Sequence, residues 1–564
     1  MSNKEIAKKF RLLAALMELY DENSFKIKSY TNAAYTIERL DAPAADMSAA
    51  QLSTISGIGN TISDKIKTLL DTGTFAPLDQ MLEKTPEGIV AMLSLKGIGP
   101  KKIKTLWQEL GIENMGELLY ACNENRLVAL TGFGTKTQDN IRQNIEYLQA
   151  NAHKYRYAAI APDASRLCNQ IAALPQVKRA EISGSMRRRC EIIEQIDLII
   201  QLNDPILNGQ SLIDQPNALW EALIQANPDD EYLAQVQNSP IYQFSYVLPH
   251  QSDSDFVLRH FVQTAHPAHL AQLNNLDNLN PNIANETDIY AQYELPYIAP
   301  ELREGRKEIA FAQSGQLPEL LQLTHLRGIV HAHSTYSDGR NTLRQMAEHC
   351  QKMGFEYLGI SDHSKAAFYA NGLSVERIAE QHREIDALNL QLAPFKIFKG
   401  IEADILNDGN LDYDAATLAN FDFVIASVHS NLKMNAEKAM QRLLTAIENP
   451  YTTILGHPTG RLLLSREGYP IDHRRIIDAC ADNRVAIELN ANPNRLDIDW
   501  RWIDYCLEKG VMISINPDAH SIEGINDIQY GVYAAQKGLL TQKMTLNALS
   551  CSDFGNYIAL KRGK

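Results

Sequence analysis

Paired cysteines are missing from this chain. Its seven cysteines (Cys122, Cys168, Cys190, Cys350, Cys480, Cys506 and Cys551) are odd in number and widely scattered, with no CxxC spacing. That excludes a thiolate zinc site and a disulfide framework, and it points to a reducing, cytoplasmic setting. Long apolar runs are missing too, since none approaches the ~18 residues of a membrane span. The stretch Phe10 to Tyr20 carries Arg11 and Glu18 and follows Lys8 and Lys9, so it reads as an amphipathic helix rather than a signal peptide. Nor is there an excess of positive charge. With 54 Lys and Arg against 68 Asp and Glu, the net charge of −14 excludes indiscriminate coating of nucleic acid, and any phosphate contact must be focused. What remains is an ordinary soluble composition, 45% hydrophobic and 22% charged, over 564 residues. That length exceeds one hydrophobic core and predicts three or more domains.

The first 150 residues repeat one short phrase three times: Ser56-Gly-Ile-Gly-Asn60, Lys96-Gly-Ile-Gly-Pro100 and Thr131-Gly-Phe-Gly-Thr135. Each follows a short apolar helix end and precedes a helix with spaced apolar positions, such as Ile62, Ile66 and Leu69. The pairs Gly57 and Gly59, Gly97 and Gly99, Gly132 and Gly134 allow a tight turn and bring backbone N–H groups close to a phosphate at a helix N-terminus. This is the helix-hairpin-helix grip on a nucleic-acid backbone, which reads no bases. One such turn can merely join two helices; three in the same context point to DNA. Lys101, Lys102 and Lys104 after the second hairpin and Lys136 after the third supply charge. Residues 1 to 150 hold 17 Lys or Arg against 18 Asp or Glu, so attraction rests on placement and sequence specificity is poor.

From residue 151 to about 262 the chain changes character. Strand-like runs at Ala180 to Ser183, Ile196 to Gln201 and Phe256 to Val262, separated by helical segments, predict a mixed sheet. The passage Gly184-Ser-Met-Arg-Arg-Arg-Cys-Glu191, followed by Glu194-Gln-Ile-Asp-Leu-Ile-Ile200, resembles the palm of a family X DNA polymerase. With the hairpins before it and Glu301-Leu-Arg-Glu-Gly305 after it, the whole chain resembles a bacterial family X polymerase. The resemblance implies a lyase-like domain (1–77), fingers (78–150), palm (151–262), thumb and linker (263–327) and a C-terminal PHP domain (328–564). It also implies nucleotide-phosphate contacts at Ser185 and Arg188 beside Gly184. Lys65 matches the position of a lyase lysine, with Lys26 and Tyr30 at neighbouring phosphate-site positions, although a surface lysine is the better reading, since attack on a sugar needs a depressed pKa.

The departures from the family pattern carry as much weight. Its palm strand holds an Asp-x-Asp pair for two divalent ions; here those positions are Gln195 and Asp197. A neutral amide is a poor ligand for a hard cation, and Glu194 points to the opposite strand face. The third family carboxylate would fall at Val257 on a strand, with Asp253 and Asp255 just before it; a two-residue register shift would bring Asp255 into use. Arg189 and Cys190 replace the usual glycine and lysine, and Gln272 to Glu286 is Asn-rich and unlike the family thumb. These features predict a degenerate polymerase core. Arg187 to Arg189 also fit a plain solvated basic turn.

The strongest signal begins at Gly328. Seven short apolar runs, most separated by a helical segment, end in metal-competent or otherwise polar residues: Gly328 to His333, Tyr357 to His363, Ile397 to Glu402, Phe423 to His429, Thr453 to His457, Val485 to Asn490 and Met512 to His520. Repeated strand then helix predicts a barrel, whose C-terminal strand ends converge on one face. His349, His382 and His473 fall instead in helical segments. The set His331, His333, Asp338, His363, Glu402, His429, His457, Asp518 and His520 matches the PHP pattern at nine positions. By that resemblance His331, His333, Glu402 and Asp518 hold one ion, Glu402 bridges to a second held by His429 and His457, and Asp338, His363 and His520 hold a third. Imidazole and carboxylate without thiolate suit zinc, manganese or iron, and the family precedent favours manganese. Lys365, Arg461 and Arg495 just beyond strand ends are candidates for phosphate contacts, and plain exposed loop charges explain each equally well.

The expectation is therefore a multidomain protein with a mainly α hairpin region, an α/β nucleotidyltransferase-like palm and thumb, and a distorted (β/α)7 PHP barrel. Its expected activity is that of a monomeric, cytoplasmic DNA-repair enzyme acting on gapped, nicked or abasic duplex. Metal-activated water at three divalent ions would hydrolyse phosphoesters at 3′ ends or abasic sites, with no protein nucleophile and with polymerisation lost. Rival readings are a working gap-filling polymerase, a small-molecule phosphatase of the histidinol phosphatase type and a non-catalytic DNA-binding scaffold.

Overall fold

The computed structural model describes the chain except residues 41, 208–209, 212–216, 238, 275, 277–278, 281 and 562–564. It divides into two compact units, Met1–Ala152 and His153–Lys564. In the first, the amphipathic helix predicted at the start spans Asn3–Leu19, capped by a reciprocal Ser2/Glu5 box and burying Ile6, Phe10, Leu13 and Leu16. The three hairpins share one backbone. Gly57, Gly97 and Gly132 have φ of +91°, +86° and +84°, a region closed to most side chains. Gly59, Gly99 and Gly134 are the extended N-caps of helices Asn60–Thr72, Pro100–Leu110 and Thr135–Ala150. Between each pair the apolar residue turns inward, so that Ile58, Ile98 and Phe133 are buried. No side chain caps any of the three helix starts, so their first N–H groups stay free for an acceptor from outside.

In the second unit, Val177–Ile182 pairs antiparallel with Ile196–Leu202, which pairs in parallel with Tyr242–Val247. Helix Tyr157–Ala172 packs on this sheet through Leu167 and Ile171. The strand expected at Phe256 to Val262 is instead part of helix Asp253–Thr264. Ser252 and Asp255 form a capping box at its start, and its aromatic and β-branched content, read as strand, is the buried face of a helix: Phe256, Val257 and Phe261. In the Asn-rich thumb, four positions (275, 277, 278 and 281) lie outside the described residues. The flanking linker packs around Phe261, Tyr290, Ile298 and Ile309.

The C-terminal region is a parallel barrel of seven strands in sequence order, Gly328–Ile329, Tyr357–Ile360, Lys396–Asp404, Phe423–Ser427, Ile454–Leu455, Ala486–Asn490 and Ile513–Asn516. A parallel bridge from Ala332 to Ala519 joins the first and last strands just beyond their ends. Its floor is apolar: Phe398, Phe423, Ile425, Ile454 and Ala486 meet Phe554 of the C-terminal helix Cys551–Lys561. Glycine makes room for this plug, because a Cβ at Gly400 would lie 2.1 Å from the Phe423 ring and one at Gly359 2.7 Å from it. Glu402 sits four residues beyond Phe398 and Glu488 two beyond Ala486, and the period-2 pleat lifts both onto the inner face above the floor.

Candidate metal centre

All nine residues singled out in the barrel converge at the C-terminal strand ends. Glu402 is the hub. Its Oε1 lies 3.4 Å from His331 Nε2, 3.1 Å from His429 Nε2 and 3.1 Å from His457 Nε2, and its Oε2 lies 3.0 Å from His363 Nδ1 and 3.7 Å from His333 Nε2. Asp518 Oδ1 stands 3.1 Å from His333 Nε2 and 3.5 Å from His331 Nε2. Asp338 faces His520 at 3.4 Å and His363 at 3.7 Å. Two of these residues, His457 (φ +21°) and Asp518 (φ +53°), have left-handed backbone, a strain that clusters at functional sites.

Donor atoms gather in three overlapping groups: His333, Asp338, His363 and His520; His331, His333 and Asp518; and His363, Glu402 and His429, each within 4.8 Å. The grouping differs in detail from the one the resemblance implies, since His333 reaches the Asp338 corner and His363 the Glu402 and His429 corner. The fit to cations is direct. His331 Nε2, His333 Nδ1, His363 Nδ1, His457 Nδ1 and Glu402 Oε2 are buried without a hydrogen-bond partner, a costly state unless another electrophile meets them.

Partners outside the nine orient the donors. His331 Nδ1 meets Glu488 Oε1 at 2.6 Å, and His429 Nδ1 meets Asp404 Oδ1 at 2.6 Å. Such carboxylate contacts leave Nε2 as the basic face. Glu488 also accepts from the His457 amide at 2.7 Å and from Asn516 at 2.9 Å. Asp362, fully buried, accepts from the Ser334 and Ser337 amides and from Gln381, fixing the loop that carries Asp338. Electrostatics follow position. Burial resists charge on His429, but Glu402 and Asp404 overcome it and hold the imidazole up at about 10. His333, equally buried and beside His520 and His363, falls to about 3. His349, His382 and His473 lie on helices, away from the strand ends. Arg461 is spent on Asp499 (2.6 Å) and the Arg495 carbonyl (3.0 Å); Arg495 Nε approaches Asp518 at 3.7 Å.

A family model for the PHP domain matches residues 330–492, one for a helix-hairpin-helix domain matches 1–75, and one for a SAM-like helix-hairpin-helix tandem matches 89–145. The chain is 34% identical to the DNA polymerase/3′-5′ exonuclease PolX of Bacillus subtilis (strain 168), over 98% of each. The chain belongs to the PolX family. Its barrel region is also similar to a probable phosphatase of Thermoanaerobacter sp. (strain X514), 26% identical over 38% of this chain and 88% of that one. A probable phosphatase of Caldicellulosiruptor bescii is 28% identical over 35% of this chain and 78% of the relative.

Against the PolX pattern the palm is altered further than sequence alone indicated. Gln195 hydrogen-bonds Asp197, so the amide occupies the second carboxylate's place. The strand beside Asp197 is Tyr242–Val247, with Gln243 opposite Asp197 and Ser245 opposite Ile199; it contains no acidic residue. Val257 is therefore not a strand position, and Asp255 is a helix cap. Its neighbour Asp253 hydrogen-bonds Gln201 at 2.9 Å, four residues along the strand from Asp197, or roughly 13 Å at strand rise. Asp255 cannot complete a site at Asp197. Gly184 (φ +62°) lies so close that a Cβ there would stand 2.1 Å from Asp197 Oδ2.

The three arginines of the basic turn are all paired, Arg188 buried and Arg187 and Arg189 partly exposed. Arg188 donates to Glu304 at 2.9 Å and to the Thr264 carbonyl at 2.6 Å. Arg187 pairs with Glu286, which also takes Arg303 at 2.6 Å. Arg189 pairs with Glu301 at 3.1 Å and lies over the Tyr533 ring. Glu304 takes a second cation, Lys537 at the end of helix Ile528–Lys537. The partners of Arg187, Arg188 and Arg189 lie 76 or more positions away, and no local pattern signals them. In the hairpin unit, Lys101 and Lys136 are exposed, Lys102 lies 5.2 Å from the Phe133 ring, and Lys104 is paired with Asp21. Lys65 Nζ donates to Thr61 O at 3.4 Å.

Proposed function

We propose that this PolX-family chain is a DNA-repair phosphoesterase whose C-terminal cluster trims 3′ ends or incises at abasic sites, and that its palm no longer polymerises. The observation that carries the reading is the Glu402 hub, one buried carboxylate facing five histidines, in a chain with three uncapped hairpin helices. The donor chemistry suits three divalent cations, with manganese favoured and zinc or iron compatible. When bound, such cations would polarise a phosphoryl oxygen and acidify a water.

The chain's own residues do the rest. Glu402 belongs to one donor group and faces histidines of the other two. Glu488 and Asp404 hold the His331 and His429 rings in one tautomer. Asp518 and Asn490, bonded at 3.1 Å, fix the wall nearest His333. Gly57, Gly59, Gly97, Gly99, Gly132 and Gly134, with Lys101, Lys102 and Lys136, would grip gapped, nicked or abasic duplex through its backbone, with little sequence preference. Asp197, with no acidic neighbour on its own strand face or on Tyr242–Val247, supports the loss of nucleotidyl transfer.

The test is incubation with Mn2+ and a labelled gapped duplex bearing an abasic site or a 3′ phosphate, with and without nucleotides. Shortened or dephosphorylated products, no extension, and their absence in His429→Ala are expected. Equal products from wild type and His429→Ala would overturn the reading. Extension that persists in His331→Ala and vanishes in Asp197→Ala would restore the polymerase. The barrel's similarity to proteins named probable phosphatases favours one second reading, for which turnover of histidinol phosphate would far exceed that of DNA.

A further inference from the structure

Seven of the nine donors in the cluster are at most 10% exposed at their side chains, whereas Asp338 and His520 reach 36% and 40%. The cluster is thus most open at the Asp338 and His520 corner. Beside that corner runs the turn that follows His363. It is tied down at both ends: Leu373 N donates to His363 O at 2.9 Å, Gly372 N to Ala367 O at 3.1 Å, and the Asn371 amide reaches the Tyr336 and Ser337 carbonyls next to Asp338. Ala367 and Ala370 are buried on its inner side. The two residues between them point outward, Phe368 at 86% and Tyr369 at 60% exposure.

Among the described residues of His153–Lys564 these are the two most exposed aromatic side chains. Single exposed apolar residues are ordinary. Two adjacent aromatic rings on a pinned turn, 6.1 Å apart, with Tyr369 6.4 Å from the His363 ring, are placed rather than scattered. Lys365, exposed on the same turn, adds a positive charge where a strand's backbone would pass. Aromatic faces beside a phosphate-directed site suit nucleobases, which stack on them irrespective of sequence.

We propose that Phe368 and Tyr369 form a stacking platform for the unpaired terminal base or bases of a single DNA strand, and that this platform positions the adjoining phosphodiester at the open Asp338 and His520 corner. The inference rests on the phosphoesterase reading and names its substrate class: a frayed or single-stranded end bearing bases, in preference to a base-paired or base-less one.

Two oligonucleotides with Mn2+ test it, one with an ordinary 3′-terminal base and one with a tetrahydrofuran residue there. Wild type should favour the base-bearing strand. Phe368→Ala with Tyr369→Ala should raise KM on that strand on the order of tenfold or more, leave kcat within about twofold, and barely change the base-less substrate, while Phe368→Trp with Tyr369→Phe should keep the wild-type KM. A second readout needs no turnover. A 3′-terminal 2-aminopurine joined by a non-hydrolysable methylphosphonate should be quenched on the wild-type full chain and not on the double alanine variant. Unchanged KM, or quenching that survives in the alanine variant, overturns the platform. If wild type hydrolyses neither oligonucleotide, the phosphoesterase reading fails by itself, and the quenching measurement still decides the platform.

Discussion

At the scale of single residues, a second contact on the ring decides which nitrogen of His331 and of His429 faces the centre. Glu488 is the clearest case, holding His331 by the side chain and His457 by the backbone. Glu488→Gln keeps the shape but removes the charge that makes His331 Nε2 a good donor, and second partners of this kind are worth roughly 10- to 100-fold in metal affinity. Competition with a chelator, followed by Mn2+-dependent hydrolysis, should show a loss in that range with the fold intact by circular dichroism. Eight of the nine donor-type residues were legible in the sequence because each ends or closely follows an apolar run, whereas Asp338, on the loop after His333, was marked only by the PHP resemblance. Glu488 lies in such a run, in Val485-Ala-Ile-Glu-Leu-Asn490, and its acidity two residues before the strand end was the available signal. Asp404 and Asp362 had none, because what each holds is set by residues 19 or more positions away.

At the scale of elements, the palm turn, the linker and a barrel helix meet at Glu304, which binds Arg188 and Lys537 together. Burial alone would raise this carboxyl, yet Lys537 and Arg188 draw it from an ordinary 4.5 down to about 2. The stabilisation is therefore fully present above pH 4.5 and is lost as pH falls toward 2, amounting to on the order of 3 kcal/mol. Glu304→Gln leaves two buried cations without their partner, a change that costs about 3–5 kcal/mol. Urea unfolding of the full chain should show a lower midpoint at pH 7 for Glu304→Gln and a shallower loss between pH 5 and pH 3 than in wild type. The barrel strands were readable as elements. The helix Asp253–Thr264 was not, since its apolar residues suit either period, and only the Ser252/Asp255 box marks a helix start.

At the scale of the whole molecule, the proposed function divides the chain into a unit that would hold DNA without reading it and a unit that would carry the chemistry. The hairpin lysines should then set affinity rather than rate. Replacing Lys101, Lys102 and Lys136 with alanine should weaken binding to gapped duplex equally for all sequences. It should also flatten the dependence of log Kobs on log salt by about 0.9 for every phosphate that is no longer neutralised, as fluorescence anisotropy across a salt series would reveal. The plugged floor of the barrel bears on traffic. With Phe398, Phe423 and Phe554 filling its lower end, the centre is a blind alley with one doorway. On the phosphoesterase reading, a released nucleotide or phosphate would leave past the same corner that admits the strand, so each product would have to clear before the next residue advances.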